Sequence, residues 1–189
     1  ECVTDIQAPW NLPKHATGEA VYIDDLPRTP NTLEAWLVTS PHAHARITRI
    51  DVARAMARPG VVVVIAADIP GANDCGPIIH DDPILADGLV QYVGQPMFVV
   101  VASTNLAARR AARLAKVDYE VLAPVLTPQE AKRLQSYVLP PMRLQCGNPA
   151  TALADSPRRM QGEFYVGGQE QFYLEGQISY ALPKEDGCL

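Results

Sequence analysis

Alternation between short strands and short helices is the feature that most constrains the fold of this chain. Residues 33–40 and 45–50 alternate apolar and polar side chains, as half-buried strands do. The carboxylate of Asp51 can accept from the free amides of a first helical turn, so we predict a short helix from Asp51 to about Arg58. The β-branched run 61–66 then predicts a strand that is buried on both faces.

A second strand, helix and strand follow after a loop. Residues 68–87 are rich in glycine, proline, asparagine and aspartate and predict a long surface loop. Residues 97–102 predict a buried strand, Ser103-Thr104-Asn105 supply caps for a helix to about Lys116, and residues 117–122 predict another strand. On that helix the basic residues Arg109, Arg113 and Lys116 should share one face, which is usually solvated and could instead dock a subunit. The fold class expected is α+β, with one mixed sheet and two main helices.

The last third of the chain has a different character. Residues 124–157 are rich in proline and predict a linker that carries a helical patch at 129–134. Alternating side chains then predict two strands, at 160–166 and 178–182, on either side of a loop that begins with two glycines.

That loop, Gly167-Gly168-Gln169, is the best candidate for a functional site. Paired glycines allow positive φ and a close approach of the backbone to another group, in a tight turn or a β-bulge. The neutral carboxamide of Gln169 both donates and accepts hydrogen bonds. Glu170 and Glu175 follow closely, and because one loop reveals no partner geometry, we assign them a structural or hydrogen-bonding role.

Composition argues against several functions. The formal net charge of −5 is opposite to that expected for a nucleic-acid binder, and no apolar run is long enough to span a membrane. No phosphate-binding glycine loop or dinucleotide fingerprint occurs. The histidines His42 and His44 lack an evident third metal ligand, so we assign them a structural role in a turn or at a strand edge. The four cysteines are too widely separated for local metal pairs, which predicts reduced structural thiols; they are Cys2, Cys75, Cys146 and Cys188.

Several separated blocks resemble the xanthine dehydrogenases. The stretch GGQEQFYLEGQISYALPKEDG is similar to the first segment of their molybdopterin-binding domain. The blocks TGEAVYIDDLP from Thr17, SPHAHARI from Ser40, GVVVVIAADIPGAND from Gly60 and YVGQPMFVVVA from Tyr92 are similar to the α/β-hammerhead domain that precedes it. Gly176-Gln177 resembles the bacterial type, and Gln171 stands where many members have histidine.

This resemblance implies domain boundaries and a site. It implies an N-terminal extension at 1–13, a hammerhead domain at 14–124, a linker at 125–158 and the truncated start of a molybdopterin-binding domain at 159–189. Gly167, Gly168 and Gln169 would face the molybdenum cofactor, with Gln169 donating an N–H to an atom bound to the metal. The catalytic base would lie beyond this chain, so no catalytic residue is expected within it.

The resemblance also implies a reaction and partners. A molybdenum subunit of this kind would be a cytoplasmic oxidoreductase that hydroxylates hypoxanthine and xanthine to urate in purine catabolism. Electrons would pass through 2Fe-2S clusters and FAD, held in other domains or subunits, to NAD. The expected partners are the purine, the Fe-S/FAD subunit and further copies of the complex. Two alternatives remain open: another molybdenum hydroxylase, such as an aldehyde oxidase, and a noncatalytic scaffold or assembly module.

Overall fold

The computed structural model describes residues 12–185 as two compact units. One unit is residues 30–144, and the other combines residues 12–29 with residues 145–185. The elements in chain order are α1 (Leu12–Thr17), β1 (Glu34–Thr39), β2 (Ala45–Asp51), α2 (Ala53–Met56), β3 (Val62–Ile65), β4 (Leu89–Val90), β5 (Pro96–Ala102), α3 (Asn105–Ala112), β6 (Lys116–Val121), α4 (Pro128–Leu134) and α5 (Pro149–Asp155). Across residues 12–185, no helix is both long and apolar enough to cross a bilayer.

Two three-stranded sheets form the unit of residues 30–144. The first has the order β1-β5-β3 and the second has the order β4-β2-β6. All pairings within them are antiparallel, so the α+β class is confirmed but the prediction of one mixed sheet is wrong. An apolar or alternating sequence identifies a strand, whereas the direction of pairing depends on how the distant connections run.

β5 is the centre of the core. Its buried residues Met97, Phe98, Val100 and Ala102 are each at most 2% exposed. Ala108 and Ala111 of α3 are buried in the same cluster, and their small side chains allow α3 to pack closely on β1 and β5. The predicted strand at 97–102 is therefore confirmed, both as a strand and as a buried one.

The helix α3 begins where the sequence predicted and ends earlier. The Thr104 hydroxyl oxygen accepts from the Ala107 amide at 3.1 Å, which caps the first turn. The helix ends at Ala112 because Lys116 pairs with Asp51 as the first residue of β6. Lys116 therefore does not join Arg109 and Arg113 on a helical face, and the predicted three-residue basic stripe is wrong.

Two further local predictions are partly correct. Asp51 accepts from the Ala53 amide at 3.2 Å, although Val52 occupies the cap position and α2 ends at Met56. The run 61–66 contains β3, but Val62 is 56% exposed. β3 lies at the edge of its sheet, so it is not buried on both faces as predicted.

The region predicted as a linker contains two helices. α4 confirms the helical patch at 129–134 and begins with Pro128 after the cap Thr127. α5 was not predicted, although its Asn148-Pro149 start has the chemistry of a helix cap: the Asn148 carboxamide accepts from the Thr151 amide at 3.2 Å. The domain boundaries taken from the resemblance stay a prediction.

The two strands predicted around the glycine pair are absent from residues 156–185, which the structure describes without any strand. Met160, Phe164 and Val166 are almost fully exposed there, at 103%, 96% and 82%. An alternating sequence becomes a strand only when a neighbouring strand accepts its backbone hydrogen bonds. The prediction of strands at 160–166 and 178–182 is therefore wrong for the described residues.

Candidate functional site

An open groove follows the glycine–glutamine motif along the chain. It encloses about 500 Å³ and lies within the unit formed by residues 12–29 and 145–185. Its lining residues are Tyr22, Ile23, Tyr173, Leu174, Glu175, Gly176, Gln177 and Ile178. The groove thus brings together the second half of the motif and a segment that lies about 150 positions earlier in the sequence.

Two hydrogen-bonded tethers join these segments. The Glu175 carboxylate accepts from the Ile23 amide at 3.1 Å. The Tyr180 hydroxyl oxygen accepts from the Thr29 amide at 3.1 Å, and the two hydroxyl groups lie 2.9 Å apart. The hydrogen-bonding role predicted for Glu175 is confirmed, while that of the exposed Glu170 stays a prediction.

The Gly167-Gly168 pair has a different conformation from the one expected. Positive φ in this segment falls on Phe172, at 55°, and on neither of the two glycines. A Cβ built on Gly167 or Gly168 would meet no other atom of residues 12–185 within 4 Å. The expected tight turn with positive φ at the glycines is therefore wrong, and no neighbour in the described part of the chain requires glycine there.

Gln169 is exposed beside these glycines and is not among the residues that line the groove. Its position leaves both ends of the carboxamide available to a group that approaches from outside the chain. An uncharged donor and an uncrowded backbone are compatible with a bulky, hydrogen-bonding cofactor such as molybdopterin.

The histidines have structural contacts. The His44 Nδ1 atom lies 2.9 Å from the Ala123 carbonyl oxygen, and the His42 ring packs edge-on against Tyr119 with centroids 4.7 Å apart. Among residues 12–185 there is no group of three histidine, cysteine or acidic side chains that could hold a metal ion. The structural role predicted for His42 and His44 is confirmed.

The cysteines are only partly within the described chain. Cys75 and Cys146 are free and exposed. Cys2 and Cys188 lie outside residues 12–185. Desolvation raises the pKa of the Cys75 thiol, and the carboxylates of Asp82 and Asp74 raise it further. A raised pKa leaves a smaller fraction of the thiol as the reactive thiolate at neutral pH, which agrees with an unreactive role.

Asp74 organises the loop before β4, a role that the sequence did not reveal. Its carboxylate accepts from the Gly76 amide at 3.0 Å and the Asp82 amide at 3.3 Å, and it pairs with the His80 ring. A Cβ on Gly76 would collide with the Ile79 carbonyl oxygen. The Asn-Asp-x-Gly order at 73–76 is typical of such side-chain-closed turns and could have identified it.

We expect this loop to lose order in acid. The hydrogen bond from Gly76, followed by that from His80, holds the pKa of Asp74 below its usual value of 3.8. Because the folded pKa is lowered, the stabilisation is complete above pH 3.8 and is lost as the pH falls through the folded pKa. The NMR amide shift of Gly76 should therefore titrate with a midpoint below 3.8.

The matched comparison is Asp74→Asn against Asp81→Asn, since Asp81 is an exposed carboxylate in the same loop. Asp74→Asn should abolish that titration of the Gly76 amide, and Asp81→Asn should preserve it. An unchanged Gly76 titration in Asp74→Asn would show that another group controls the loop.

The architecture and the site define a class of protein. Two antiparallel sheets with one main helix make a small α+β domain, and residues 17–123 match the family described as aldehyde oxidase and xanthine dehydrogenase, a/b hammerhead domain. The chain therefore belongs to the aldehyde oxidase and xanthine dehydrogenase family.

Relatives from vertebrates are similar over most of this chain. It is 43% identical over 176 residues to a xanthine dehydrogenase/oxidase of Gallus gallus, and the alignment covers 92% of this chain and 13% of that protein. It is 45% identical over 173 residues to aldehyde oxidase 2 of Cavia porcellus, with 90% and 13% covered. The chain thus spans about one eighth of the length of these relatives.

Solved structures of bacterial enzymes share the fold. Quinoline 2-oxidoreductase from Pseudomonas putida 86 matches with a TM-score of 0.57 and 36% identity, over 65% of this chain and 17% of that one. CO dehydrogenase from Oligotropha carboxidovorans matches with a TM-score of 0.58 and 34% identity, over 66% and 16%. The family match and the structural matches therefore both support the hammerhead fold.

Proposed function

We propose that this chain is part of the molybdenum subunit of a xanthine dehydrogenase. The reaction would be the hydroxylation of hypoxanthine and xanthine to urate, in the cytoplasm and as a step of purine catabolism. The 43% identity with the xanthine dehydrogenase/oxidase of Gallus gallus extends beyond the hammerhead domain and through most of this chain, and it supports the enzyme family. The observation that carries the choice of a purine substrate is the resemblance of residues 167–187 to the xanthine dehydrogenases. The complex would use 2Fe-2S clusters and FAD, held in other domains or subunits, to pass electrons to NAD.

Within that complex, Gln169 would hold the cofactor by hydrogen bonding. When bound, the molybdenum–molybdopterin group supplies the redox chemistry of hydroxylation. The Gln169 carboxamide would donate an N–H to it without adding charge, and Gly167 and Gly168 would leave room for it because no side chain projects there. Uncharged hydrogen bonding orients a group while changing its redox potential less than a full charge would.

The tethers suggest how the motif is supported. Glu175 and Tyr180 follow Gln169 on the same segment and hydrogen-bond Ile23 and Thr29. Fixing the backbone at two points restricts the conformations open to the residues just before them. We infer that the segment 22–29 acts as a brace for the cofactor-facing residues.

An aldehyde oxidase is the second candidate. The identity to aldehyde oxidase 2 of Cavia porcellus, 45%, is slightly higher than the 43% identity to the xanthine enzyme. The family description of the hammerhead domain covers both aldehyde oxidases and xanthine dehydrogenases. The presence of this domain therefore does not indicate whether the substrate is a purine or an aldehyde. Our first proposal, the xanthine dehydrogenase, includes two further points. The enzyme would be of the bacterial type, which Gly176-Gln177 suggests, and it would assemble into a symmetric oligomer.

The test is a substrate comparison with the native protein that contains this sequence. We expect kcat/KM for xanthine to exceed that for benzaldehyde by at least about 100-fold, a difference of about 2.7 kcal/mol in transition-state binding. The reverse preference would select the aldehyde oxidase. Absence of molybdenum and of both activities would select the noncatalytic scaffold.

The full chain by itself provides the complementary measurement. Because the chain spans about 13% of the length of its relatives, we expect the purified chain to bind less than stoichiometric molybdenum by mass spectrometry and not to oxidise xanthine. Measurable turnover by the chain alone would contradict this assignment.

A further inference from the structure

A side-chain hydrogen bond joins the two sheets of residues 30–144. The Tyr119 hydroxyl group, on β6 of the second sheet, donates to the Met97 Sδ atom on β5 of the first sheet, at 3.1 Å. A thioether sulfur accepts hydrogen bonds only weakly, yet here it is the acceptor for a hydroxyl group that folding has partly removed from water. We call Met97 and Tyr119 the sheet junction.

An irregularity in the pairing of β5 places Met97 at this junction. The register of β1 against β5 shifts between Val38 and Thr39, and the pairing passes over Met97. Such a shift, as in a β-bulge, re-aims a side chain and interrupts the alternation of a strand. Met97 and Phe98 are accordingly consecutive and both buried, at 2% and 0% exposed. The shift therefore gives the Met97 sulfur a position that regular alternation would not.

The surroundings of Tyr119 keep its hydroxyl group in place as a donor. The Tyr119 ring packs against the core cluster and edge-to-face with the His42 ring, with ring centroids 4.7 Å apart. Desolvation raises the pKa of the Tyr119 phenol, so the group keeps its proton at neutral pH. Met97 belongs to the core cluster itself, whose members all lie within residues 30–144. The sheet junction is therefore independent of what else the native protein contains.

We propose that the sheet junction is sensitive to oxidation at Met97 and that the Tyr119 hydroxyl group shields the Met97 sulfur from peroxide. In the reaction with hydrogen peroxide, a sulfur lone pair attacks one peroxide oxygen, an S–O bond forms and the O–O bond breaks. The sulfur is oxidised by two electrons to the sulfoxide, and the other oxygen takes up the proton of the transferred one and leaves as water. A hydrogen bond donated to the sulfur withdraws electron density from that lone pair, so it slows the attack. The inference does not depend on the substrate of the enzyme.

Oxidation of Met97 would weaken the junction. The sulfoxide adds one oxygen atom to a side chain that is 2% exposed, and extra volume in a close-packed core forces the neighbouring side chains out of their preferred positions. Oxidation also makes a flexible apolar side chain polar. The Tyr119 hydroxyl group can donate to the new oxygen, which offsets the cost of burying a polar group and leaves the cost of overpacking.

The first experiment measures the peroxide oxidation of each methionine in the full chain. Peptide mass spectrometry follows Met97 against Met142 and Met160, which are 96% and 103% exposed and serve as internal references. We expect Met97 to be oxidised last. Tyr119→Phe keeps the ring and should raise the Met97 rate about fivefold, the factor that corresponds to the loss of one ordinary hydrogen bond. An unchanged Met97 rate in Tyr119→Phe would overturn the proposal.

Two matched variants separate shielding from stability. Tyr137→Phe makes the same chemical change at a residue that is 48% exposed, and it should leave the Met97 rate unchanged. Val117→Ala keeps the Tyr119 hydroxyl group and removes apolar packing from the same strand, β6. At urea concentrations that give both variants the same free energy of unfolding, Met97 should be oxidised faster in Tyr119→Phe than in Val117→Ala. Equal rates would assign the protection to burial alone and contradict shielding by the hydroxyl group.

Met97→Leu tests whether oxidation at this residue weakens the junction. Leucine nearly conserves the volume and has no sulfur, whereas the three other methionines and the four cysteines stay in place. After peroxide treatment, urea denaturation followed by circular dichroism should show a lowered free energy of unfolding in the parent chain and little change in Met97→Leu. If Met97→Leu lost as much stability as the parent chain, the sensitive residue would lie elsewhere and the proposal would be wrong.

Discussion

Phe98→Ala should destabilise the chain by about 3–5 kcal/mol, the cost typical of removing a fully buried phenylalanine. Phe98 is 0% exposed on the central strand β5. It stands opposite Val38 of β1 on one side and opposite Ile65 of β3 on the other. Truncation therefore opens a cavity at the middle of the sheet, where close packing on both sides prevents collapse. Urea denaturation of the full chain, followed by circular dichroism, measures the change.

Val62→Ala is the matched control for that experiment. Val62 lies in β3 of the same sheet, and more than half of its surface is exposed. Its truncation should cost less than about 1 kcal/mol, because little apolar surface is withdrawn from burial. If both variants lost similar stability, the core would not be centred on Phe98.

Gln169→Ala should lower turnover of the native protein by about 10- to 100-fold, the range typical when a hydrogen bond to a ligand of a metal is removed. The reason is that no other described side chain of the glycine–glutamine loop is an uncharged donor next to the paired glycines. If Gln169 acts on the bound cofactor, kcat should fall more than KM rises. Steady-state kinetics with the preferred substrate, normalised to molybdenum content, provides the measurement.

Gln161→Ala is the control for the carboxamide. Gln161 is exposed on the same segment and precedes the glycine pair. Its replacement should leave kcat unchanged. Equal losses in the two variants, or a loss in Gln169→Ala that disappears after normalisation to molybdenum, would assign Gln169 to folding or cofactor retention and not to turnover.

The strands within residues 30–144 were predictable because the pattern of apolar and polar side chains that indicates a strand lies within the strand's own sequence. β1, β2, β5 and β6 lie within a residue or two of their predicted positions. The end of α3 was not predictable, because Leu114 and Ala115 continue a helical pattern and only the distant pairing of Lys116 with Asp51 ends it. Likewise, residues 160–166 have the alternation of a strand, but alternation does not provide the neighbour that a strand needs.

The candidate site was predictable in its chemistry and not in its contacts. The unusual composition of residues 167–175 drew attention to Gln169 and Glu175 without any structure. The partner of Glu175 is a backbone amide 152 residues away. Every residue except proline has a backbone N–H, so the sequence does not show which one Glu175 binds. Asp74 was overlooked for the opposite reason: its contacts are local, but acidic residues in exposed turns are common.

The two tethers also order the events of synthesis. Residues 30–144 lie between the two halves of the other unit, so they emerge from the ribosome before Glu175 and Tyr180 exist. Domains generally fold as units in the order in which they are made. While the two sheets of residues 30–144 fold, residues 22–29 therefore lack the residues 173–180 that they later contact. The hydrogen bonds of Glu175 to Ile23 and of Tyr180 to Thr29 therefore form only after the hammerhead residues have been made. We expect a nascent chain arrested before Glu175 to have a finished hammerhead core and an unclosed groove.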